Sequence, residues 1–155
     1  MIQIKEKSFM NTYGSDSLDN LIERLQSTSD PKRRYEYILW LAKNLPILTE
    51  DLHLESTKVK GCISEVYVLG ILLKGKIQWK GYSDALITKG LLAFLIKGLN
   101  NLTPFEVISI DEKFIEMTGL SKSLTPSRAN GFLNIFLKMK AQAKALSLSS
   151  SDNDK

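Results

Sequence analysis

Two side chains set the limits of the chemistry this chain could do with its own atoms, Cys62 and His53, each the only one of its kind in 155 residues. Cys62 follows Gly61 at the exit of a polar stretch, where a thiol can be approached. The thiolate is the nucleophilic form. Lys58 and Lys60 stand close in sequence and would favour it over the neutral thiol, whose ordinary pKa is about 8.5. These residues alone leave two readings open: an inert cysteine packed as a small apolar residue, the commoner fate of a lone cysteine, and an accessible nucleophile.

His53 would make a Cys-His pair only by reaching Cys62 across a flexible segment, with a third group to orient it, and nothing in the spacing requires this. A surface histidine in a polar loop is the expectation. One Cys and one His cannot assemble a tetrahedral zinc site, so no metal is expected in the isolated chain. No two carboxylates pair on one helical face beside an apolar cleft, which leaves general acid-base catalysis unsupported. Asp84 reads as a helix cap. The glycines never fall into a phosphate-binding loop or a dinucleotide fingerprint, and no cofactor is expected. Arg128 sits in the first turn of a helix, where the dipole favours acids; it is either solvated or a hydrogen-bonding fork that holds a loop or meets a partner's carboxylate.

The elements that must position these residues follow from periodicity and caps. Ser17 to Leu25 reads as a short helix. After Pro31, Arg33 to Asn44 forms another, with Tyr37, Ile38, Trp40 and Leu41 on its apolar face and Pro46 ending it. From Leu48 to Lys60 the chain is polar and aperiodic, a long irregular connection that delivers it to Gly61-Cys62. Val66 to Leu73 and Lys76 to Tyr82 are β-rich runs separated by Lys74-Gly75, the signature of an antiparallel hairpin. Ser83-Asp84 supplies cap chemistry for a largely apolar, central helix reaching about Leu99.

Thr103-Pro104-Phe105-Glu106 has capping-box spacing, and a short helix fits Glu112 to Met117 before Gly119. Thr125-Pro126-Ser127-Arg128 opens a last helix, on which Phe132, Ile135, Phe136, Met139 and Ala143 recur toward Leu146. Helices around one hairpin, without strand-helix alternation, give an α+β class with a small antiparallel sheet packed against several helices. The expected organisation is a poorly patterned segment over 1–16, one domain over 17–147, and a disordered Ser- and Asp-rich tail over 148–155.

With 43% apolar residues and 25% charged, the chain has ordinary globular composition and enough apolar surface for a core. Its formal net charge of +4 could suit an acidic partner or nucleic acid, but acids such as Glu50, Asp51 and Glu55 interrupt the basic residues, so no nucleic-acid stripe stands out. A single cysteine excludes an internal disulfide. The N-terminus shows no secretory pattern and no apolar run approaches a membrane span, so a cytoplasmic protein is expected.

Four separated blocks, in order and in register, carry a resemblance. They are Arg34-Tyr35-Glu36-Tyr37-Ile38 with Leu45-Pro46; Val59-Lys60-Gly61-Cys62 leading to Ser64 and Val66; Ser83-Asp84-Ala85 with Lys89-Gly90-Leu91; and Leu124-Thr125-Pro126-Ser127-Arg128 with Asn130-Gly131. Together, from about Leu21 to Ala145, they resemble the SufE-type sulfur-acceptor family. The resemblance implies that Cys62 is the sulfur-accepting cysteine, that the fold is similar to iron-sulfur scaffolds of the IscU type, and that the partner is a SufS-like cysteine desulfurase. Pyridoxal phosphate would belong to that partner. Sulfur would pass on to a SufB-containing scaffold complex, and pairing with a second copy stays open. Lys60, Gly61, Ser64, Asp84, Arg128 and Asn130 are carried over as partner-binding or loop-shaping.

Two departures are visible. The family commonly continues Gly-Cys-Gln-Ser-Gln-Val-Trp where this chain reads Gly61-Cys62-Ile63-Ser64-Glu65-Val66-Tyr67, and a histidine often found before the Leu-Thr-Pro-Ser-Arg block is Ser123 here. The nucleophile is retained, and the changes bear on which desulfurase the loop fits. The competing class is an adaptor for protein or nucleic acid that uses no thiol.

Overall fold

The computed structural model describes residues 12–153, with 150–153 described by their backbone alone. Expectations for residues 1–11 and 154–155 lie outside it. The first helices start at local caps. The Ser15 hydroxyl accepts from Leu18 N at 3.0 Å and opens α1 (Asp16–Gln26). Asp30 accepts from Lys32 N at 2.9 Å and, with Pro31 preset for the first turn, opens α2 (Pro31–Leu41). A 3-10 turn over Ala42–Asn44 follows. Ile38 and Leu41 are buried as expected, but Trp40 is 49% exposed. Its ring stacks at 5.8 Å on Tyr37, which is half-buried against the core and covered by the Arg24 guanidinium, so the indole lies at the surface.

β1 (Val66–Leu73) and β2 (Lys76–Ser83) form the two-stranded antiparallel sheet, in register from Val66 opposite Ser83 to Leu73 opposite Lys76. Lys74 and Gly75 both take positive φ (52° and 81°), the handedness a two-residue hairpin turn needs. The segment before the hairpin flanks both strands. Leu48 N donates to Gly81 O and Gly81 N to Pro46 O, each at 2.9 Å, while Val59 N donates to Val66 O and Val68 N to Thr57 O, each at 2.8 Å. The irregular connection is thereby tied to the sheet at two points.

α3 (Leu86–Gly98) lies at the centre and packs on α1, α2, β2 and the last helix, α6 (Pro126–Asn153). Gly90 lets α2 come close, because a Cβ there would run into the Ile38 carbonyl. Asp84 does not cap α3. The cap position is Ala85, without a side-chain cap bond, and the Asp84 carboxylate is used elsewhere. α4 (Pro104–Ile108) has the full capping box, with Glu106 N donating to Thr103 Oγ1 and Thr103 N to Glu106 Oε1. α5 (Phe114–Met117) ends ahead of Gly119, whose φ of 69° turns the chain.

α6 buries Phe132, Ile135, Phe136, Met139 and Ala143. Phe132 meets Phe94 of α3 edge-to-face at 5.7 Å, and Phe136 meets Phe114 at 5.0 Å. The Gln142 amide of α6 donates to Val68 O and accepts from Gly70 N, satisfying part of the outer edge of β1. The helix continues through the run expected as a tail, so residues 148–153 are helical: Ser and Asp lack an apolar face but do not by themselves stop a helix already nucleated upstream. Among the described residues no helix is long and apolar enough to cross a membrane.

Candidate functional site

The bond from Val59 N to Val66 O closes the base of a loop over residues 60–65. Gly61, at φ 81°, makes the turn that sets Cys62 at its tip; a Cβ on Gly61 would lie 2.7 Å from Asn134 Nδ2. That amide donates instead to Gly61 O at 3.1 Å. The loop's far end is held by Asp84, whose Oδ1 accepts from Glu65 N at 2.9 Å while its own N donates to Glu65 O at 3.2 Å. Both limbs of the loop are therefore fastened by residues remote in sequence.

Between the limbs, the Arg128 guanidinium donates through one nitrogen to Ser64 Oγ and, at 2.7 Å, to Thr88 Oγ1, and the two hydroxyls lie 3.2 Å apart. Arg128 is therefore the hydrogen-bonding fork, and not a solvated arginine. Its place in a first turn, unfavourable to the dipole, is compensated by these bonds. Arg128, Gly131 and Asn134 recur every three residues and so share one stripe of α6 facing the loop. Gly131 leaves room for sulfur: its carbonyl lies 3.8 Å from Cys62 Sγ, and a Cβ there would stand 3.5 Å from that atom.

Cys62 is half-buried and lines a cleft of about 10 Å³ with Ile63, Ser64, Thr88, Ser127, Arg128 and Gly131. Burial pushes its thiol pKa up from the ordinary value, and the Arg128 guanidinium pulls it part of the way back. The cation acting on the sulfur is thus Arg128. Lys60, expected to help, instead reaches Glu55 at 3.5 Å with both ends well exposed. Asn130 is exposed on α6, and the amide that holds the loop belongs to Asn134.

His53 is not the expected surface residue. Its ring lies 4.6 Å from Tyr67 and 4.4 Å from Tyr82, and Nε2 is 2.9 Å from Leu48 O, so it serves as an aromatic packing element. Among the described residues no group of three or more His, Cys, Asp or Glu is placed to hold a metal ion. Thr88, Gly131 and Asn134 join the site without having stood out in the sequence as chemistry-bearing residues. The three-residue spacing from Arg128 is the available signal for the last two, whereas Thr88 sits on a helix whose apolar pattern draws attention away from it.

The site is thus one half-shielded thiol in a fastened loop of an α+β domain, with the Arg128 guanidinium as the charged group beside the sulfur. Residues 19–143 match the family model described as SufE, Fe-S metabolism associated domain. The chain is 49% identical over 135 residues to an uncharacterized SufE-like protein of Synechocystis sp., covering 87% of this chain and 85% of that one. It is 37% identical to the chloroplastic/mitochondrial SufE-like protein 1 of Arabidopsis thaliana (84% of this chain, 35% of that one) and 40% identical to the cysteine desulfuration protein SufE of Plasmodium vivax (73% and 46%).

The solution structure of a hypothetical protein from Thermus thermophilus superposes with a TM-score of 0.73 at 25% identity, over 84% of this chain and 96% of that one. The chain belongs to the SufE family, and membership puts it among the sulfur acceptors of iron-sulfur metabolism. The chain spans less than two thirds of the Arabidopsis and Plasmodium relatives, and the family is not confined to one compartment, since the plant member is named for chloroplast and mitochondrion.

Proposed function

We propose that this chain takes sulfur from the persulfide of a pyridoxal-phosphate cysteine desulfurase onto Cys62, stimulates that enzyme by clearing its product, and passes the sulfur to a SufB-containing scaffold for iron-sulfur cluster assembly. The Cys62 thiolate attacks the outer sulfur of the donor's Cys-S-SH. One S–S bond forms and the donor's S–S bond breaks, so the donor cysteine leaves as a thiolate, takes up the proton released by Cys62, and Cys62 carries the persulfide. The transferred sulfur keeps its oxidation state and no outside oxidant is needed. Carbon-sulfur cleavage stays with the partner's cofactor, and this chain works as a carrier without a cofactor of its own.

The observation that carries this reading is the lone thiol at the tip of a loop, set over a cleft with room for about one more atom and beside a single guanidinium. Burial keeps the resting thiol protonated and sheltered, which limits side reactions with small oxidants. Docking of the donor removes water from the site, and Arg128 is then the group that stabilises the thiolate. Asp84, Ser64, Gly61 and Asn134 shape the loop. Lys60 and Asn130, both exposed, are left as partner-facing positions, and the cytoplasm is the compartment we assign.

The test is desulfurase turnover, read as alanine formed from cysteine. The wild-type chain accelerates it and Cys62→Ser does not. Equal acceleration by the two would remove the thiol from the mechanism and favour an adaptor that acts by docking alone.

A further inference from the structure

Beside Cys62 stands the most exposed large apolar side chain among the described residues, Ile63, at 78%. It lines the same cleft as the thiol, and the other exposed members of the loop are Lys60, Gly61 and Glu65. A single apolar side chain ringed by polar ones is the pattern of an interface anchor, which binds by losing its contact with water while its neighbours exclude solvent. The geometry of transfer dictates what must cover it. A disulfide-type bond is about 2 Å long, so any protein delivering sulfur to Cys62 Sγ has to close over the residues that flank it.

We propose that Ile63 is a specificity-determining anchor that seats in an apolar pocket on the desulfurase, next to the cysteine that bears the persulfide. This rests on the sulfur-acceptor reading above. The isoleucine side chain offers no donor or acceptor. A desulfurase whose surface pairs with an amide would leave polar groups unpaired against this chain, so the residue both favours one partner and disfavours another.

The experiment titrates a purified cysteine desulfurase, supplied with cysteine, with the full chain as wild type, Ile63→Leu, Ile63→Ser and Ile63→Gln. Ile63→Ser and Ile63→Gln raise the half-saturating concentration about tenfold, the scale of an isoleucine left in water, and Ile63→Leu restores most of the loss. The larger share of the effect falls on half-saturation and the smaller on the saturated rate.

An unchanged half-saturating concentration overturns the proposal, as does a loss confined to the saturated rate. It also falls if Ile63→Ser slows iodoacetamide alkylation of Cys62 in the free protein by the same factor, since Ile63 would then be shaping the loop. If the wild-type chain itself neither accelerates the enzyme nor gains sulfur, the acceptor reading fails; silent Ile63 variants of a chain that does both sink only the anchor.

Discussion

The strand β1 runs between two tight bends built on opposite plans. At its end, Lys74-Gly75 turns by local conformation alone: both residues have positive φ, and a Cβ on Gly75 would meet nothing within 4 Å. At its start, the Cys62 loop also has a glycine at positive φ, but it is fastened from outside by Asp84, Thr88, Arg128 and Asn134. The first bend only reverses the chain. The second is held by distant residues, and those same residues set the surroundings of the Cys62 thiol, so the proposed function expects its reactivity to change when they are strengthened or released.

The largest effect that would sharpen this contrast is expected from Arg128→Ala. It unpairs Thr88 and Ser64 from their donor, and unfolding in urea should show a loss of about 1–3 kcal/mol together with a fall in the rate of sulfur loading. Stability lost with loading untouched would break the link between the fastening and the thiol. Gly61→Ala comes next, because left-handed backbone and the Asn134 amide both oppose a Cβ; loading should slow about tenfold. Gly75→Ala, the matched change at the other bend, should cost about 1 kcal/mol of stability and leave loading as it was.

Arg128→Gln removes the charge and leaves only a shorter amide in place of the guanidinium. Burial already holds the Cys62 pKa above its ordinary value, and taking away the one cation that opposes this moves it higher. The pH profile of Cys62 alkylation in the free protein therefore has its midpoint above that of a free thiol, and the Arg128→Gln midpoint lies further to alkaline pH. A midpoint that falls, or stays, would contradict the electrostatic role. The smallest effect belongs to Asn134→Ala, which removes one bond to the loop and should cost about 0.5–1.5 kcal/mol by thermal or chemical unfolding.

The parts readable in the amino-acid sequence are those decided within a few residues. The Lys74-Gly75 turn, the Thr103 capping box and the apolar stripe from Phe132 to Ala143 each follow from short-range rules and appear as expected. The family resemblance points to Cys62 as the acceptor and carries Lys60, Gly61, Ser64, Asp84, Arg128 and Asn130 together as partner-binding or loop-shaping. What stayed hidden depends on which distant surfaces meet. Asp84 reads by residue type as a cap, and the resemblance, which carries it as partner-binding or loop-shaping, does not say which backbone it bonds until the 60–65 loop is laid against it. Lys60 looks like the thiolate's cation until it is seen exposed beside Glu55, with Arg128 as the charge that acts on the sulfur. Trp40 fits an apolar helix face, but the core at that level is already closed by Ile38 and Leu41, leaving the indole to stack on Tyr37.

The account's central claim, that Cys62 alone takes and holds the sulfur, is tested most directly by intact-protein and peptide mass spectrometry after incubation with a cysteine desulfurase and cysteine. The account predicts one sulfur added to the chain, on the peptide carrying Cys62, and none on Cys62→Ser. Sulfur on the Cys62→Ser chain, or no sulfur on a wild-type chain that still accelerates the desulfurase, would contradict it.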